Sequence, residues 1–233
     1  MLKVINTRPA PDADAFSDAI RAAGAAVILS PVMAIRFRDA PAFVDGDEAL
    51  AFTSANGVRA FARANPDRRP KVFAVGRATA DAARRAGFAD VAAAGGAVES
   101  LAALIAGTKG SLRILHLAGS DRAGDLVAAL AAHGVSARRH VVYDAVPAAD
   151  LTPQARLVLG AEPQNCAVGL FSPRSATLFC AQAVRSGVGD RLSRATLLAF
   201  SEAVAAAARS ERWGQTKIAA DQSLEAMAAL IHA

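Results

Sequence analysis

The chain has 233 residues, of which 53% are hydrophobic and 5% aromatic, and its formal net charge is +5. This apolar content is enough for a substantial core and excludes a disordered chain. The longest apolar-rich run, residues 23–35, is interrupted by Ser30 and Pro31 and is too short to cross a membrane. Arginine outnumbers lysine 22 to 4, and a basic surface favours polyanionic partners. Because no long apolar segment follows the early lysine, we expect a cytoplasmic protein without export.

The first predicted elements recur later in the chain. Residues 4–27 align without a gap with residues 114–137, at an offset of 110. Each copy predicts a short buried strand, a loop with Asp or Ser near a helix N-cap, an amphipathic helix and a glycine that ends it. We interpret the pair as one strand–helix unit that occurs twice.

Three further pairs follow in the same order. They are residues 51–61 with 170–180, residues 72–87 with 197–211, and residues 99–105 with 223–231. Short strands that alternate with helices are typical of parallel sheets covered by helices on both faces. The sequence therefore predicts an α/β protein of two doubly wound parallel-sheet lobes.

Two extended stretches, residues 30–37 and 140–151, interrupt this pattern. Pro31 and Pro147 make them poor helices and plausible connectors between the lobes. Simple repetition would give one lobe from residues 1 to 110 and the other from the remainder. The repeats also leave open a swapped arrangement, in which the first unit joins the C-terminal lobe.

Several kinds of site lack their sequence motifs. No glycine-rich dinucleotide or P-loop motif, nucleophile-elbow motif or H-E-x-x-H motif occurs. Cys166 and Cys180 lie in apolar runs, where we expect free buried thiols, and the four histidines are scattered, so no metal site is predicted. Few aromatic residues accompany the basic ones, so nucleic acid is not an expected partner.

What remains is a set of small polar residues at the expected carboxyl ends of strands, where open α/β sheets bind ligands. Such loops bind anions through hydroxyls and backbone N–H groups better than they perform proton chemistry. The candidates are Thr7, Arg8, Thr53, Ser54, Asn56, Gly76, Arg77, Thr79, Gly119, Ser120, Ser172, Arg174, Ser175 and Ser201.

Five motifs in order resemble the uroporphyrinogen-III synthase family: residues 6–9 (NTRP), 52–58 (FTSANGV), 74–87 (AVGRATADAARRAG), 141–147 (VVYDAVP) and 171–176 (FSPRSA). The resemblance implies two α/β lobes joined by a two-stranded linker, with the first strand–helix unit packed in the C-terminal lobe. The implied boundaries are 1–35 plus 148–233 for one lobe and 38–143 for the other, with linkers at about 30–37 and 141–148.

The resemblance also implies a function. Members of this family are cyclising lyases without a cofactor, which close the linear tetrapyrrole hydroxymethylbilane into uroporphyrinogen III with loss of water and inversion of ring D. The implied partners are this polycarboxylate substrate and, transiently, hydroxymethylbilane synthase. The resemblance also implies that the protein is a monomer and does not bind a membrane. The alternative is a non-catalytic, cytosolic two-lobed ligand-binding or regulatory protein.

By the same resemblance, Tyr143 is a possible general acid for the departing hydroxyl and Thr79 a weaker candidate. Aromatic packing would equally explain Tyr143, and helix capping is the simpler role for Thr79. The implied substrate-binding residues are Arg8, Thr53, Ser54, Asn56, Gly76, Arg77, Ser120, Ser172, Arg174, Ser175 and Ser201. One departure from the family pattern is that Ser201 and Glu202 stand where a glycine and paired threonines are common.

Overall fold

The computed structural model describes residues 1–39, 44–110, 112–121 and 124–232. Two residues of the second copy of the first repeat, Arg122 and Ala123, lie outside this part of the chain. The strands are β1 (Lys3–Asn6), β2 (Ala26–Leu29), β3 (Met33–Phe37), β4 (Glu48–Phe52), β5 (Val72–Ala74), β6 (Val91–Ala93), β7 (Arg113–Gly119), β8 (Ser136–Pro147), β9 (Cys166–Leu170), β10 (Thr196–Ala199) and β11 (Gln215–Ile218). The α-helices are α1 (Asp12–Ala22), α2 (Ala55–Ala64), α3 (Arg77–Arg85), α4 (Val98–Ala106), α5 (Leu126–Ala132), α6 (Pro153–Ala161), α7 (Pro173–Arg185), α8 (Glu202–Ala207) and α9 (Leu224–Ala229).

The chain divides into two compact units. Unit 1 comprises Met1–Ala34 and Val146–Ala233, and unit 2 comprises Ile35–Ala145. Unit 1 contains a five-stranded sheet in the order β11-β10-β9-β1-β2. The other sheet has six strands in the order β3-β8-β7-β4-β5-β6, and the chain passes from one unit to the other within β3 and within β8.

Strand pairing is parallel from β2 to β11 in the first sheet and from β8 to β6 in the second. The N-terminal strand β1 lies between β2 and β9, so the first strand–helix unit belongs to the sheet that the C-terminal strands form. The predicted fold class, two parallel-sheet α/β lobes, is confirmed.

In unit 1, alternate residues of β1 enter different apolar clusters, as the two-residue period of a strand requires. Val4 packs with Phe16 of α1 and Met227 of α9. Ile5 packs on the opposite face with Phe179 of α7 and with α6 and α8. Each fully buried side chain of this size contributes about 1.5–3 kcal/mol of hydrophobic stabilisation.

Unit 2 likewise has helices packed on both faces of its sheet. Phe52 of β4 packs with Phe61 of α2 and with α3 on one face of the sheet, and Ala51 packs with Ile105 of α4 and Leu130 of α5 on the other. Helix α2 approaches β7 closely at Gly57, where an added Cβ would lie 2.6 Å from the carbonyl oxygen of Leu117. None of the described helices is both long and apolar enough to cross a membrane.

Candidate functional site

Each sheet has a point where the direction of winding reverses. In unit 1, β1 continues into α1 on one face and the adjacent β9 continues into α7 on the other. In unit 2, the adjacent strands β4 and β7 continue into α2 and α5 on opposite faces. Successive loops therefore diverge at the carboxyl ends of these strand pairs and leave a crevice, the usual ligand position in such sheets. The crevice between β1 and β9 is named the unit 1 site, and the crevice between β4 and β7 is named the unit 2 site.

The unit 1 site begins at the end of β1, where Asn6 is the last residue paired with β9 and is followed by Thr7 and Arg8. The buried Asn6 donates through Nδ2 to Ala13 O at 2.8 Å and to Ser17 Oγ at 3.0 Å. Its Oδ1 accepts from the backbone N–H of Arg8 at 3.1 Å. Thr7 Oγ1 donates to Gly169 O at 2.5 Å. These bonds fix the loop from which the Arg8 side chain extends.

Arg8 itself is held on two sides. Its Cζ lies 4.6 Å from the ring centroid of Phe171, a cation–π distance. Its Nη2 lies 3.7 Å from Asp12 Oδ2. The side chain keeps 24% of its exposure. A guanidinium held in this way has fewer rotamers to lose when it binds a carboxylate.

Ser172 and Ser175 form the start of α7. Ser172 Oγ accepts from the Ser175 backbone N–H at 3.1 Å, while Ser175 Oγ accepts from the Ser172 backbone N–H at 2.9 Å, which is a capping box. Ser175 is 6% exposed, whereas Ser172 and Arg174 are partly exposed. The cap thus accounts for the contacts of Ser175, and Ser172 and Arg174 are the members with surface open to a ligand.

Ser201 begins α8 one strand further along the sheet. Its Oγ accepts from the backbone N–H of Val204 at 3.4 Å. Glu202, in the first turn, is exposed, where the positive end of the helix dipole favours a carboxylate. The hydroxyl at this position is therefore a helix cap.

The loop after β4 brings Thr53, Ser54 and Asn56 to the unit 2 site, each with a different partner. Ser54 is the N-cap of α2 and accepts from the Asn56 backbone N–H at 3.2 Å. Buried Asn56 accepts through Oδ1 from Arg59 Nη1 at 2.6 Å. Partly exposed Thr53 has its Oγ1 3.2 Å from His116 Nε2 in β7.

Gly76, Arg77 and Thr79 lie one strand away from this crevice, after β5. Gly76 is the N-cap of α3 without a side-chain cap bond, Arg77 is exposed, and Thr79 is the third helical residue and 6% exposed. The N-cap position thus belongs to Gly76 rather than to Thr79. A glycine there leaves the backbone N–H groups of the first turn accessible.

Tyr143, in β8, packs against Gly119 at the end of β7. An added Cβ on Gly119 would lie 2.7 Å from Tyr143 Cζ and 3.0 Å from its Oη. The Tyr143 carbonyl accepts from the Ser120 backbone N–H at 2.9 Å. Strand register shifts here, since Ala118 pairs with Val141 and Gly119 with Tyr143. The tyrosine is partly buried against the cluster that contains Phe52.

Charged residues on β8 fix the loop that carries Ser120. Arg139 Nη2 donates to Gly119 O and, at 3.3 Å, to Ser120 O. Asp144 accepts from Arg38 at 2.9 and 2.7 Å. The bond from Arg38, and then one from the Ser120 side chain, lower the pKa of Asp144 to about 2. Asp144 is thus an anion whose charge is balanced by a neighbouring cation.

His116 is a polar residue of the site that the sequence reasoning missed. It is 5% exposed, and burial and then the charge of Arg139 lower its pKa from 6.5 to about 4, against the opposing charge of Asp125. Its Nδ1 has no hydrogen-bond partner among the described residues. A histidine within the apolar run of β7, residues 114–118, was the available signal, because a buried polar residue requires an explanation.

Other groups do not join these sites. Cys166 and Cys180 are free and buried, and burial raises the pKa of Cys166 to about 12.

Within the described ranges, no group of three or more His, Cys, Asp or Glu side chains could hold a metal ion. A cavity of about 240 Å³, bounded by residues that include Glu48, lies at the amino end of β4, opposite Thr53. The two sites are thus built from hydroxyls, amides and guanidinium groups, which suit anion binding.

Comparison with known proteins gives one family. The family model described as uroporphyrinogen-III synthase HemD matches residues 14–229. The crystal structure of uroporphyrinogen-III synthetase from Helicobacter pylori is 18% identical and has a TM-score of 0.67, with 100% of this chain and 99% of that chain covered. A mutant uroporphyrinogen III synthase from the extremely thermophilic bacterium Thermus thermophilus is also 18% identical, with a TM-score of 0.59 and coverage of 100% and 98%. No curated protein matches the chain significantly.

Proposed function

The chain belongs to the uroporphyrinogen-III synthase family, and from this premise we propose how its two sites carry out the reaction. The family is one of cyclising lyases in tetrapyrrole biosynthesis, and the substrate is a tetrapyrrole. The match of the family model over residues 14–229 is the observation that carries this function. The finer proposal is that the chain closes hydroxymethylbilane into uroporphyrinogen III, with loss of one water and inversion of ring D.

Binding comes first, because the substrate carries eight carboxylates that the protein must hold. A net charge of +5 favours the approach of such a polyanion. Hydroxyls, amide groups and guanidinium groups each donate hydrogen bonds to a carboxylate. We assign this binding to Arg8, Ser172, Arg174 and Ser201 in unit 1, and to Thr53, Ser54, Gly76, Arg77 and Ser120 in unit 2.

Ser175 and Asn56 take part in a different way. Both are buried, at 6% and 8% exposure, and both have partners in their own helices. Ser175 positions Ser172 through the capping box, and Asn56 positions Arg59. They support binding by fixing the loop geometry in advance, which lowers the entropy lost when the substrate is ordered.

The chemical step requires little from the protein. The pyrrole nitrogen expels the hydroxymethyl oxygen, which takes a proton and leaves as water. We propose Tyr143 as the donor, because its ring is fixed over Gly119 at the carboxyl end of β7. The substituted carbon of ring D then attacks the methylene carbon to give a spiro intermediate. The bond from the substituted carbon of ring D to the methylene of ring C then breaks, and that methylene bonds instead to the unsubstituted α-carbon of ring D, which inverts the ring. This carbon finally loses its proton to the phenolate.

Thr79 is the second candidate for the proton donor. It is buried in the first turn of α3, three residues after the N-cap Gly76. The aliphatic hydroxyl of threonine is a much weaker acid than the phenol of tyrosine. We therefore expect Thr79 to orient the leaving group rather than to transfer a proton.

The test of the function uses freshly generated hydroxymethylbilane, which closes spontaneously to isomer I. The pure protein is added, the products are oxidised, and the porphyrin isomers are separated. We expect isomer III in large excess, with heat-inactivated protein as the control. Isomer I alone would overturn the proposed function.

We further propose a cytoplasmic monomer that receives its substrate directly from hydroxymethylbilane synthase. Transient handover is reasonable, because a substrate that closes spontaneously is best transferred quickly. Sedimentation of the pure protein tests the monomer, and fractionation of cells tests the location. To test handover, the ratio of isomer III to isomer I is measured with hydroxymethylbilane synthase present and again with free substrate supplied at the same rate. The ratio should be higher with the synthase present, and an equal ratio would contradict handover.

A further inference from the structure

The contact between His116 and Thr53 lies at the unit 2 site, and the proposed reaction does not use the histidine. Strand register places Ala51 of β4 and Arg139 of β8 on either side of His116. Thr53, two residues beyond Ala51, has its Oγ1 3.2 Å from His116 Nε2. The histidine is 5% exposed and the threonine is partly exposed. One end of this pair therefore lies in the interior and the other can meet a ligand.

A neutral imidazole has one N–H, and its position decides what Thr53 can do. With the proton on Nε2, the histidine donates to Thr53 Oγ1, and the threonine hydrogen is free to donate elsewhere. With the proton on Nδ1, Thr53 must donate to Nε2 and can only accept from a ligand. A carboxylate only accepts hydrogen bonds, so the first tautomer makes Thr53 a carboxylate-binding group and the second does not.

The surroundings favour the first tautomer. Nδ1 is buried and has no partner among the described residues. An N–H at that position would be an orphan donor, which folded proteins very rarely contain, whereas an unpaired acceptor is somewhat less rare. The positive charge of Arg139 opposes a second proton on the ring, and Asp125 is the charged group that favours one. Both facts leave a neutral ring with its lone pair on Nδ1.

We propose that His116 is a positioning residue, which holds its proton on Nε2 and thereby sets Thr53 as a hydrogen-bond donor to a substrate carboxylate. This inference rests on the proposed function for the identity of the carboxylate. The hydrogen bond itself and its direction depend only on the geometry within unit 2.

Nitrogen NMR of the wild-type protein with labelled histidine tests the tautomer directly. The His116 signals are assigned by their loss in His116→Gln, which separates them from those of His133, His140 and His232. We expect a pyrrole-type signal from Nε2 and a pyridine-type signal from Nδ1 at neutral pH. The reverse pattern would overturn the proposal without bearing on the enzyme's function.

Steady-state kinetics with hydroxymethylbilane test the consequence. Thr53→Val and His116→Phe should each raise KM by about threefold to tenfold, the effect of one modest hydrogen bond, and leave kcat within about twofold. His116→Gln retains an N–H donor near Nε2 and should restore most of the affinity. The double variant His116→Phe/Thr53→Val should be no worse than Thr53→Val alone, because the two residues act as one unit.

The outcomes separate this inference from the function on which it rests. Independent, multiplicative effects of the two substitutions would assign His116 a purely structural role and overturn the proposal, as would a fall in kcat with unchanged KM. Circular dichroism checks that each variant is folded, and if His116→Phe is not, the NMR result decides. If the wild-type protein yields only isomer I, the function fails and the carboxylate role with it, while the NMR experiment still reports the direction of the hydrogen bond.

Discussion

The contact of Gly119 with Tyr143 leads to a quantitative prediction. Replacing Gly119 by alanine would place a Cβ 2.7 Å from Tyr143 Cζ and 2.8 Å from Cε2. Ordinary carbon contacts are about 3.5–4.0 Å, so the ring must move by roughly 0.8 Å or more. Its backbone is restrained by the 2.9 Å bond from Ser120 N–H, so the ring must rotate away from its rotamer. Gly119 is not in the left-handed region, and the cost is therefore steric.

We expect Gly119→Ala to lower the free energy of unfolding by about 1–3 kcal/mol, the usual range for an overpacked contact. Turnover should also fall, because the phenol leaves its position. Urea unfolding and isomer III formation measure the two effects. The matched background is Tyr143→Ala, which removes the ring; there the same glycine substitution should cost less than about 0.5 kcal/mol. An equal loss of stability in both backgrounds would refute the steric explanation.

Three further predictions concern Tyr143, His116 and two helical glycines. Tyr143→Phe should slow isomer III formation by about tenfold to a thousandfold if the phenol is the acid, and unchanged turnover would exclude it. The pKa of His116 is about 4 in the folded protein and 6.5 ordinarily. The contribution of the neutral histidine to the free energy of unfolding is therefore fully present above pH 6.5 and is lost as the pH falls towards 4. The free energy of unfolding of both proteins is measured by urea titration at about pH 7 and about pH 4.5. The decrease between the two pH values should be about 2–3 kcal/mol smaller for His116→Gln than for the wild-type protein. Gly57→Ala should lower the free energy of unfolding by at least about 2 kcal/mol, since the added Cβ would lie 2.6 Å from Leu117 O. Gly160→Ala in α6, where nothing lies within 4 Å of the added Cβ, should raise it by up to about 1 kcal/mol. Similar effects at both positions would contradict the packing argument.

Local patterns were sufficient to predict two parallel-sheet α/β lobes, whereas the place of the first strand–helix unit in the C-terminal lobe came only from the family resemblance. The strand–helix units carry local signals: a short apolar run, in several units a hydroxyl at the helix start, and in several a glycine after the helix end. These signals depend on neighbours within a few residues. Ser54, Ser172 and Ser201 are N-caps, as small polar residues at such junctions should be. The internal repeat then fixed the order of the elements, because each unit occurs twice.

The contacts of the sites were harder to predict, because they join residues far apart in the chain. Thr53 meets His116 across 63 residues, and Thr7 meets Gly169 across 162. Arg139 and His116 are neighbours only because β7 and β8 pair in one particular register. Neither spacing nor composition contains that register, and no motif marks a histidine that contacts a single threonine.

The position of Tyr143 shows why strand periodicity alone is insufficient. Regular alternation in β8 would place Val142 and Tyr143 on opposite faces of the sheet. The register instead passes from Val141 opposite Ala118 to Tyr143 opposite Gly119, so that Val142 is an extra residue, as in a β-bulge. Val142 and Tyr143 consequently pack against the same apolar cluster, and the tyrosine meets Gly119. Because a bulge redirects the side chains beside it, one added residue in this strand determines where the proposed acid lies.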